Sequence, residues 1–186
     1  MRTKIIVACD AGGGIGYNNR IPWPRCRDDL VRFKKVTIGT SHASFGSINA
    51  VVMGYNTWVS LPQNARPLPN RLNIILTNTH YDEIKNNYSD NSNIKPARSW
   101  DDLENIINSI DNINDVWVIG GQSIYEQSFE QSEVVEIHIT QFNFYMEHDK
   151  TFAVPYEELA KFKLSSDSAF SYAHGSGSFQ VWKRVE

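Results

Sequence analysis

One stretch of this chain runs from strand to helix through two glycines: Val116-Trp117-Val118-Ile119-Gly120-Gly121-Gln122-Ser123-Ile124-Tyr125. Its first four residues are all apolar, which is typical of a strand buried on both faces of a sheet. The mixed pattern that begins at Gln122 predicts a helix over residues 122–131. A strand that leads directly into a helix is the building unit of α/β proteins with a parallel sheet.

The same alternation recurs along the rest of the chain. Short β-branched runs predict strands at 4–9, 50–53, 72–77, 116–119 and 134–142, with helices at 27–36, 55–60, 100–110 and 122–131 between them. Ser99 and Asp102 predict a capping box at the start of the third helix, and the polar stretches 37–47 and 78–93 are expected to be surface loops. Two further strands, at 161–165 and 178–185, follow without a long helix. We therefore expect an α/β fold with a mixed, mostly parallel twisted sheet flanked by helices and an antiparallel C-terminal hairpin.

Length and charge narrow the class of protein. The 186 residues, with a net charge of -3, fit one globular domain spanning 1–186. No dense basic run interleaved with aromatics is present, so nucleic acid is not an expected partner. The apolar run 5–8 is too short for a signal peptide or a membrane span, which predicts a cytoplasmic protein. Cys9 and Cys26 have no metal-ligand spacing and are expected to be free thiols, and no metal site is predicted.

Two strand-to-helix junctions suggest a phosphate-binding edge. Gly120 and Gly121 allow the backbone to approach a ligand, and the free amides of the following helix attract an anion such as a pyrophosphate. Gly54 repeats the device with Thr57, whose hydroxyl can donate to a phosphate oxygen. Two such junctions favour a dinucleotide, although the glycine spacing of a Rossmann motif is absent. The alternative is that each junction is only a tight turn.

Asp29 is the candidate catalytic carboxylate. It lies in the segment 21–33, where Pro22 and Pro24 stiffen the approach to a helix. Asp29 and Phe33 are four residues apart, so they share a helix face, and a carboxylate on an apolar face is costly to bury without a partner. The alternative is a surface charge that only favours the positive end of the helix, a role that Asp28 could also fill.

Two loops complete the candidate site. The glycine-rich loop 12–20 is too flexible in composition to be rigid and is expected to form a lid over the carboxyl ends of the strands, the alternative being a plain long connection. The run 66–71 holds Arg66 and Arg71 on a proline-stiffened backbone, where a guanidinium could grip a substrate carboxylate. Solvated loop arginines are the alternative.

Taken together, these segments resemble the dihydrofolate reductases over essentially the whole chain. The matching motifs are Ile15-Gly16, Pro22-Trp23, Asp29 with Phe33, Met53-Gly54 with Thr57-Trp58, Arg66-Pro67-Leu68-Pro69 with Arg71, Gly120-Gly121 with Tyr125, and Thr140. The resemblance implies hydride transfer from NADPH to 7,8-dihydrofolate, giving tetrahydrofolate for one-carbon metabolism. It further implies sensitivity to antifolate inhibitors, and a monomer is the default expectation.

The resemblance also assigns roles to individual residues. Asp29 would accept hydrogen bonds from the pterin, while Trp23 and Thr140 would tie its carboxylate to ordered water that supplies the proton. The substrate would be lined by Ile6, Val7, Ala8, Leu30, Phe33, Leu61, Leu68, Ile119 and Tyr125, with Arg71 holding its glutamate carboxylate. NADPH would contact Ala8, Ile15, Gly16, Ile21, Gly54, Tyr55, Asn56, Thr57, Leu76, Thr77, Asn78, Arg98, Ile119, Gly120, Gly121, Gln122, Ser123, Ile124, Tyr125 and Gln127. The peptide between Gly120 and Gly121 is expected to be cis, as in the family.

Some positions depart from the family pattern. Tyr55 and Asn56 stand where basic residues often hold the 2'-phosphate of NADPH, so its charge would have to be met by Arg98, with Thr77 and Asn78. Residues 149–152 match only loosely the segment that braces the lid in the family. Two rival functions are possible for such a chain. One is the reductase of riboflavin synthesis, which does not require Asp29 and Arg71 in these roles, and the other is a nucleotide-binding structural protein that has lost turnover.

Overall fold

The computed structural model describes residues 1–39 and 46–185. The strands within these ranges are β1 (Arg2–Cys9), β2 (Gly14–Gly16), β3 (Ile48–Gly54), β4 (Arg71–Leu76), β5 (Ile94–Ala97), β6 (Ile113–Gly120), β7 (Glu133–Phe142), β8 (Lys150–Thr151), β9 (Phe162–Tyr172) and β10 (Gly175–Arg184). The α-helices are α1 (Arg27–Ile38), α2 (Tyr55–Ser60), α3 (Tyr81–Asn87), α4 (Trp100–Asn108), α5 (Gln122–Gln131) and α6 (Tyr156–Leu159).

The main sheet has the strand order β5-β4-β3-β6-β1-β7-β10-β9. Each neighbouring pair from β5 to β7 is parallel, whereas β10 is antiparallel to both β7 and β9. The predicted α/β class, the mostly parallel sheet and the antiparallel C-terminal hairpin are therefore confirmed. The parallel strands end at one edge, so the loops that follow β1, β3, β4 and β6 meet there.

Alternating side chains divide the core between the two faces of the sheet. On β1, Ile5 and Val7 pack in one cluster with Leu103 and Tyr125 from the helices α4 and α5. Ile6 packs in the other cluster, which Phe33 of α1 joins from above the sheet. Since side chains on a strand point to opposite faces in turn, β1 holds both layers together through the middle of the sheet.

Several elements differ from the prediction. The stretch 78–93, expected to be a loop, contains α3, a seven-residue helix in which Ile84 is the buried residue. Helix α1 extends through Thr37 and Ile38 and ends at Gly39, whose φ is 86°. These two residues were expected to begin a loop; residues 40–45 of that expected loop lie outside the described residues.

The strand β5 was not predicted either. It contains Pro96, a residue that argues against an inner strand because it has no amide hydrogen. Among the described strands, β5 pairs only with β4, and it forms an edge of the sheet, where a proline is tolerated.

The capping box at α4 is confirmed in part. The Ser99 side chain accepts a hydrogen bond from the Asp102 amide at 3.1 Å. The Asp102 carboxylate accepts instead from the amide of Arg98, at 2.9 Å, one residue before the cap.

Candidate active site

The two glycine junctions meet at the carboxyl edge of the sheet. Met53 of β3 is in register with Gly120 of β6, so the turns into α2 and α5 start side by side. The peptide Gly120-Gly121 is cis, as expected, and Gly120 has a φ of +118°, which an L residue rarely adopts. A Cβ added at Gly121 would lie 3.5 Å from the Thr57 hydroxyl oxygen, and one at Gly54 would lie 3.1 Å from Ile124. These positions therefore keep a narrow space between the two helix starts free of side chains.

The start of α5 fits an anionic ligand. The helix has no side-chain cap and no acidic residue in its first turn. The first backbone hydrogen bonds to Gly121 come from Ile124 and Tyr125, so the amides of Gln122 and Ser123 are left for another acceptor. A pyrophosphate supplies such an acceptor, and the positive end of the helix dipole favours its charge. The donors present here fit a dinucleotide cofactor.

The remaining predicted cofactor residues of α5 have partners in the protein. Gln122 accepts a hydrogen bond from the Thr151 amide, and Gln127 accepts one from the Trp100 indole. Tyr125 is buried and donates its hydroxyl hydrogen to the backbone oxygen of Ile6 at 2.9 Å. These contacts connect α5 to β1, α4 and the lid brace.

A second group of polar and aromatic residues follows β4 and β5. The Arg98 guanidinium lies 3.9 Å from the centre of the Tyr81 ring, pairs with Asp82 at 3.1 Å and is 3.5 Å from the Asn78 side-chain oxygen. Tyr55 stacks on His80 with the ring centres 3.6 Å apart. The structure thus places one cation beside Asn78 and a flat aromatic pair where the sequence lacks basic residues.

Asp29 lies in the first turn of α1 and is partly buried. Burial raises the pKa of its carboxyl group, whereas a hydrogen bond with the Thr140 side chain and the charge of Arg32 act in the opposite direction. The net shift is upward, so the apolar surroundings dominate, in the direction expected from the sequence. Asp29 also lies in the first turn of α1 with Asp28, where its charge favours the positive end of the helix, but unlike Asp28 it is partly buried.

Trp23 packs beside the start of α1, in a cluster with Cys26 and Phe142. It is buried, and its ring centre lies 4.8 Å from that of Phe142. Cys26, the residue before α1, and Ala8 of β1 pack in the same cluster. Both cysteines are free and buried, as predicted.

Five predicted substrate-lining residues do come together. Ile6, Phe33, Leu61, Leu68 and Ile119 pack in one cluster on the α1 side of the sheet. Leu30 is on the outer part of α1 and is 39% exposed. The Val7 side chain, also predicted in this lining, points to the opposite face of the sheet and packs in the cluster that contains Tyr125, another residue of the predicted lining.

Arg71 is buried rather than solvated. It is only 2% exposed, and it donates to the Pro69 backbone oxygen at 3.0 Å and to the Thr37 hydroxyl at 2.7 Å. Its guanidinium lies 5.9 Å from the centre of the Phe33 ring. Burial lowers the pKa of Arg71 to about 10, so the group is still a cation at neutral pH. Arg66, in contrast, packs on Trp58 on the α2 side, 5.2 Å from the ring centre.

The lid has more regular structure than its composition predicts. Its strand β2, which contains Ile15 and Gly16, pairs with β8, so residues 149–152 do brace it. The tip turns at Asn18 and Asn19, both with positive φ, and leaves Ile21 60% exposed. A cleft of about 340 Å³ separates this tip from α2; its lining residues are Asn18, Asn19, Arg20, Asn56, Val59 and Ser60.

Two features of the site were missed in the sequence. Asp10, fully buried at the end of β1, accepts hydrogen bonds from the amides of Gly12, Gly14 and Met146, each at 2.8 Å. The polar alternation Glu136, His138, Thr140 marks one face of β7 and could have been recognised as a polar face directed at α1. The partner of this face on α1, Arg32, could not have been found from local spacing alone.

Comparison with known proteins agrees with this geometry. The family model for dihydrofolate reductase matches residues 2–184. The chain is 36% identical over 162 residues to dihydrofolate reductase of Candida albicans, covering 87% of this chain and 77% of that protein. It is 33% identical over 162 residues to the enzyme of Mus musculus, covering 86% and 81%, and 32% identical over 165 residues to that of Sus scrofa, covering 87% and 83%. The chain belongs to the dihydrofolate reductase family.

Proposed function

We propose that Asp29 binds the pterin headgroup in the reaction that this chain catalyses, the NADPH-dependent reduction of 7,8-dihydrofolate to 5,6,7,8-tetrahydrofolate. The observation that supports this role is a partly buried carboxylate that shares its side of α1 with Phe33 and is bonded to Thr140. A carboxylate in this position can accept two parallel hydrogen bonds from an amino group and an adjacent ring nitrogen. The substrate would thereby replace the solvation that burial removes.

The residues of the chain prepare the substrate for reduction in two ways and also bind the cofactor. Asp29 orients the pterin and favours the tautomer that can accept a proton. We assign the donation of this proton to a water molecule held near Thr140 and Trp23. The lid, braced by β8, excludes bulk water from the reacting edge. NADPH, when bound, supplies the hydride. The free amides at the start of α5, with Thr57, are proposed to bind its pyrophosphate.

The aminobenzoyl-glutamate part of the substrate is assigned to the groove beside α1. Phe33, Leu61 and Leu68 would contact the ring. Arg71, whose charge is already oriented by Thr37 and Pro69, would bind the glutamate carboxylate. Antifolates, which carry a related headgroup, are proposed to bind in the same place.

The 2'-phosphate of the cofactor is assigned to Arg98, Thr77 and Asn78. Arg98 is partly engaged by Asp82, so phosphate binding would compete with an exposed ion pair that is weak in water. The stacked Tyr55 and His80 rings offer an apolar surface for the adenine.

We also propose that residues 1–186 form one domain that acts as a monomer in the cytoplasm. Two buried free thiols fit a reducing compartment. Among the helices of the described ranges, none has the length and apolar character required to cross a membrane. Light scattering on the purified protein measures the oligomeric state, and a mass of twice the chain would overturn the monomer.

The assignment of Asp29 is tested by Asp29→Asn, with Asp28→Asn as the matched control in the same helical turn. We expect Asp29→Asn to lower dihydrofolate turnover at neutral pH by about 100-fold or more, because the amide cannot present the charged acceptor. NADPH binding, followed by quenching of tryptophan fluorescence, should be retained. Asp28→Asn, at an exposed position, should leave both quantities near wild type. Wild-type turnover by Asp29→Asn would reject the role.

A further inference from the structure

Arg32 projects from α1, the helix that carries Asp29, and its side chain contacts the strands β7 and β10. It lies three residues after Asp29 on α1, so the two side chains project to the same side of the helix. Its Nη2 atom lies 3.2 Å from His138 Nδ1 on β7 and donates to the Gln180 backbone oxygen on β10 at 3.3 Å. The guanidinium also lies 5.1 Å from the centre of the Phe179 ring. These contacts fix the position of a positive charge whose electrostatic effect reaches the Asp29 carboxyl group.

The hydrogen bonds of His138 explain why Arg32 stays in this place. The other ring nitrogen, Nε2, bonds to the Glu136 carboxylate. In the tautomer that carries its hydrogen on Nε2, His138 donates to Glu136, and its Nδ1 lone pair accepts a hydrogen bond from Nη2 of Arg32. This tautomer gives both ring nitrogens a hydrogen-bond partner. Lys4 and Asp115 continue this chain of charges at the far side of β1.

Arg32 has donor capacity to spare. Its Nη1 atom is buried and has no hydrogen-bond partner among the described residues. Burial lowers the pKa of Arg32, while the charge of Asp29 raises it. A buried donor without an acceptor is costly, so the nearby carboxylate is the group whose negative charge offsets this cost.

We propose that Arg32, oriented by His138 and Glu136, is a positioning residue that keeps Asp29 in its charged form before substrate binds. This inference rests on the proposed role of Asp29 in binding the pterin. An opposite charge within about 4–6 Å stabilises a carboxylate, whereas the apolar lining around Asp29 disfavours it. Arg32 thus limits how far burial can raise the pKa of Asp29.

Other groups near Asp29 do not supply this positive charge. The titratable or polar groups linked to Asp29 or to Arg32 are Thr140, His138 and Glu136 on β7, Tyr125 on α5 and Tyr172 on β9. Burial is the main cause that raises the pKa of both Tyr125 and Tyr172, and the charge of Asp29 acts in the same direction, so these phenols stay neutral.

The test is a pH titration of the 13C-labelled carboxyl groups of the ligand-free protein by NMR, with Asp29→Asn identifying the Asp29 resonance. In Arg32→Met, which keeps an apolar chain but removes the charge, we expect the Asp29 midpoint to move up by about one pH unit. Arg32→Lys should restore a midpoint closer to wild type. The pH profile of kcat/KM for dihydrofolate should move in the same direction, with NADPH affinity unchanged.

His138→Phe provides a second probe that does not alter α1. The variant keeps a ring against Trp117, whose centre lies 5.0 Å from that of His138, but removes the acceptor for Arg32. We expect a smaller upward shift, and no additional shift in the double variant with Arg32→Met. An Asp29 midpoint that is the same in wild type, Arg32→Met and His138→Phe would overturn the proposal. That result, combined with inactive Asp29→Asn, would leave the proposed function of Asp29 intact.

Discussion

At the scale of single residues, Asp29 and Arg32 lie on one helix, and both depend on contacts with strands that are distant in the sequence. Asp29 and Phe33 are four residues apart on α1, so their side chains project to one side of the helix. The contacts of Arg32 with β7 and β10 join residues more than 100 positions apart, and no local pattern signals them. Strand alternation, in contrast, is local, and it places Val7 and Ile6 on opposite faces of the sheet.

Arg71→Lys tests the substrate clamp at this scale. A lysine keeps the charge but loses the planar fork, so we expect the KM for dihydrofolate to rise about tenfold or more. The KM for a dihydropterin without the glutamate tail should be unchanged. Arg66→Lys, at the neighbouring arginine that packs on Trp58, is the control and should leave both KM values near wild type. Equal effects of Arg71→Lys on both substrates would contradict the clamp.

At the scale of elements, strongly patterned strands and helices were predictable, and weakly patterned ones were not. The bounds of α2 and α5 agree with the prediction because glycine marks each start. Helix α3 has only seven residues and one buried side chain, so its stability comes from packing and leaves little trace in the sequence. The pairing of β2 with β8 depends on residues more than 130 positions apart.

Asp10→Asn tests how the lid is attached to the sheet. Burial would raise the pKa of Asp10, but hydrogen bonds from the amides of Met146, Gly14 and Gly12, and then the charge of His148, hold it below its ordinary value. A carboxylate of this kind stabilises the fold above a pH of about 4, and the contribution is lost as the pH falls through the lower pKa of the folded state. We therefore expect Asp10→Asn to be less stable than wild type at pH 7, with the difference shrinking below a pH of about 4.

Urea unfolding of wild type and Asp10→Asn, at pH 7 and at a pH below about 4, measures this difference in the free energy of unfolding. Hydrogen exchange at the amides of Gly12, Gly14 and Met146 should accelerate in Asp10→Asn. Asp149→Asn, which alters an exposed carboxylate that accepts from the Asn18 amide of the same lid, is the control and should have a smaller effect. A difference that stays constant from pH 7 to acid would rule out the charged state of Asp10 as its source.

At the scale of the whole molecule, one edge of the sheet gathers residues from nearly every part of the chain. The junctions after β3 and β6, the lid after β1 and the polar group after β4 and β5 all lie at the carboxyl ends of parallel strands. This gathering was predictable from the strand-helix alternation. The aromatic pair of Tyr55 and His80 was not, because it forms between α2 and the residue before α3.

A ligand that binds only the folded chain stabilises the whole molecule, which gives a test of cofactor preference. NADPH at about 100 times its Kd should add about 2.7 kcal/mol to the free energy of unfolding. At equal concentration we expect NADH to raise Tm less, and Arg98→Leu to reduce the advantage of NADPH by removing the cation assigned to its 2'-phosphate. Lys95→Leu, on the strand β5 that precedes Arg98, is the control. If NADPH still raised the Tm of Arg98→Leu above that with NADH by as much as in wild type, the assignment of the 2'-phosphate to Arg98 would be wrong.

The most direct measurement is a crystal structure of the chain with NADPH and folate bound. The account predicts both carboxylate oxygens of Asp29 within about 3 Å of the pterin amino group and its neighbouring ring nitrogen, beneath Phe33. A pterin bound away from α1, or an Asp29 side chain turned into solvent while the ligand is present, would contradict it.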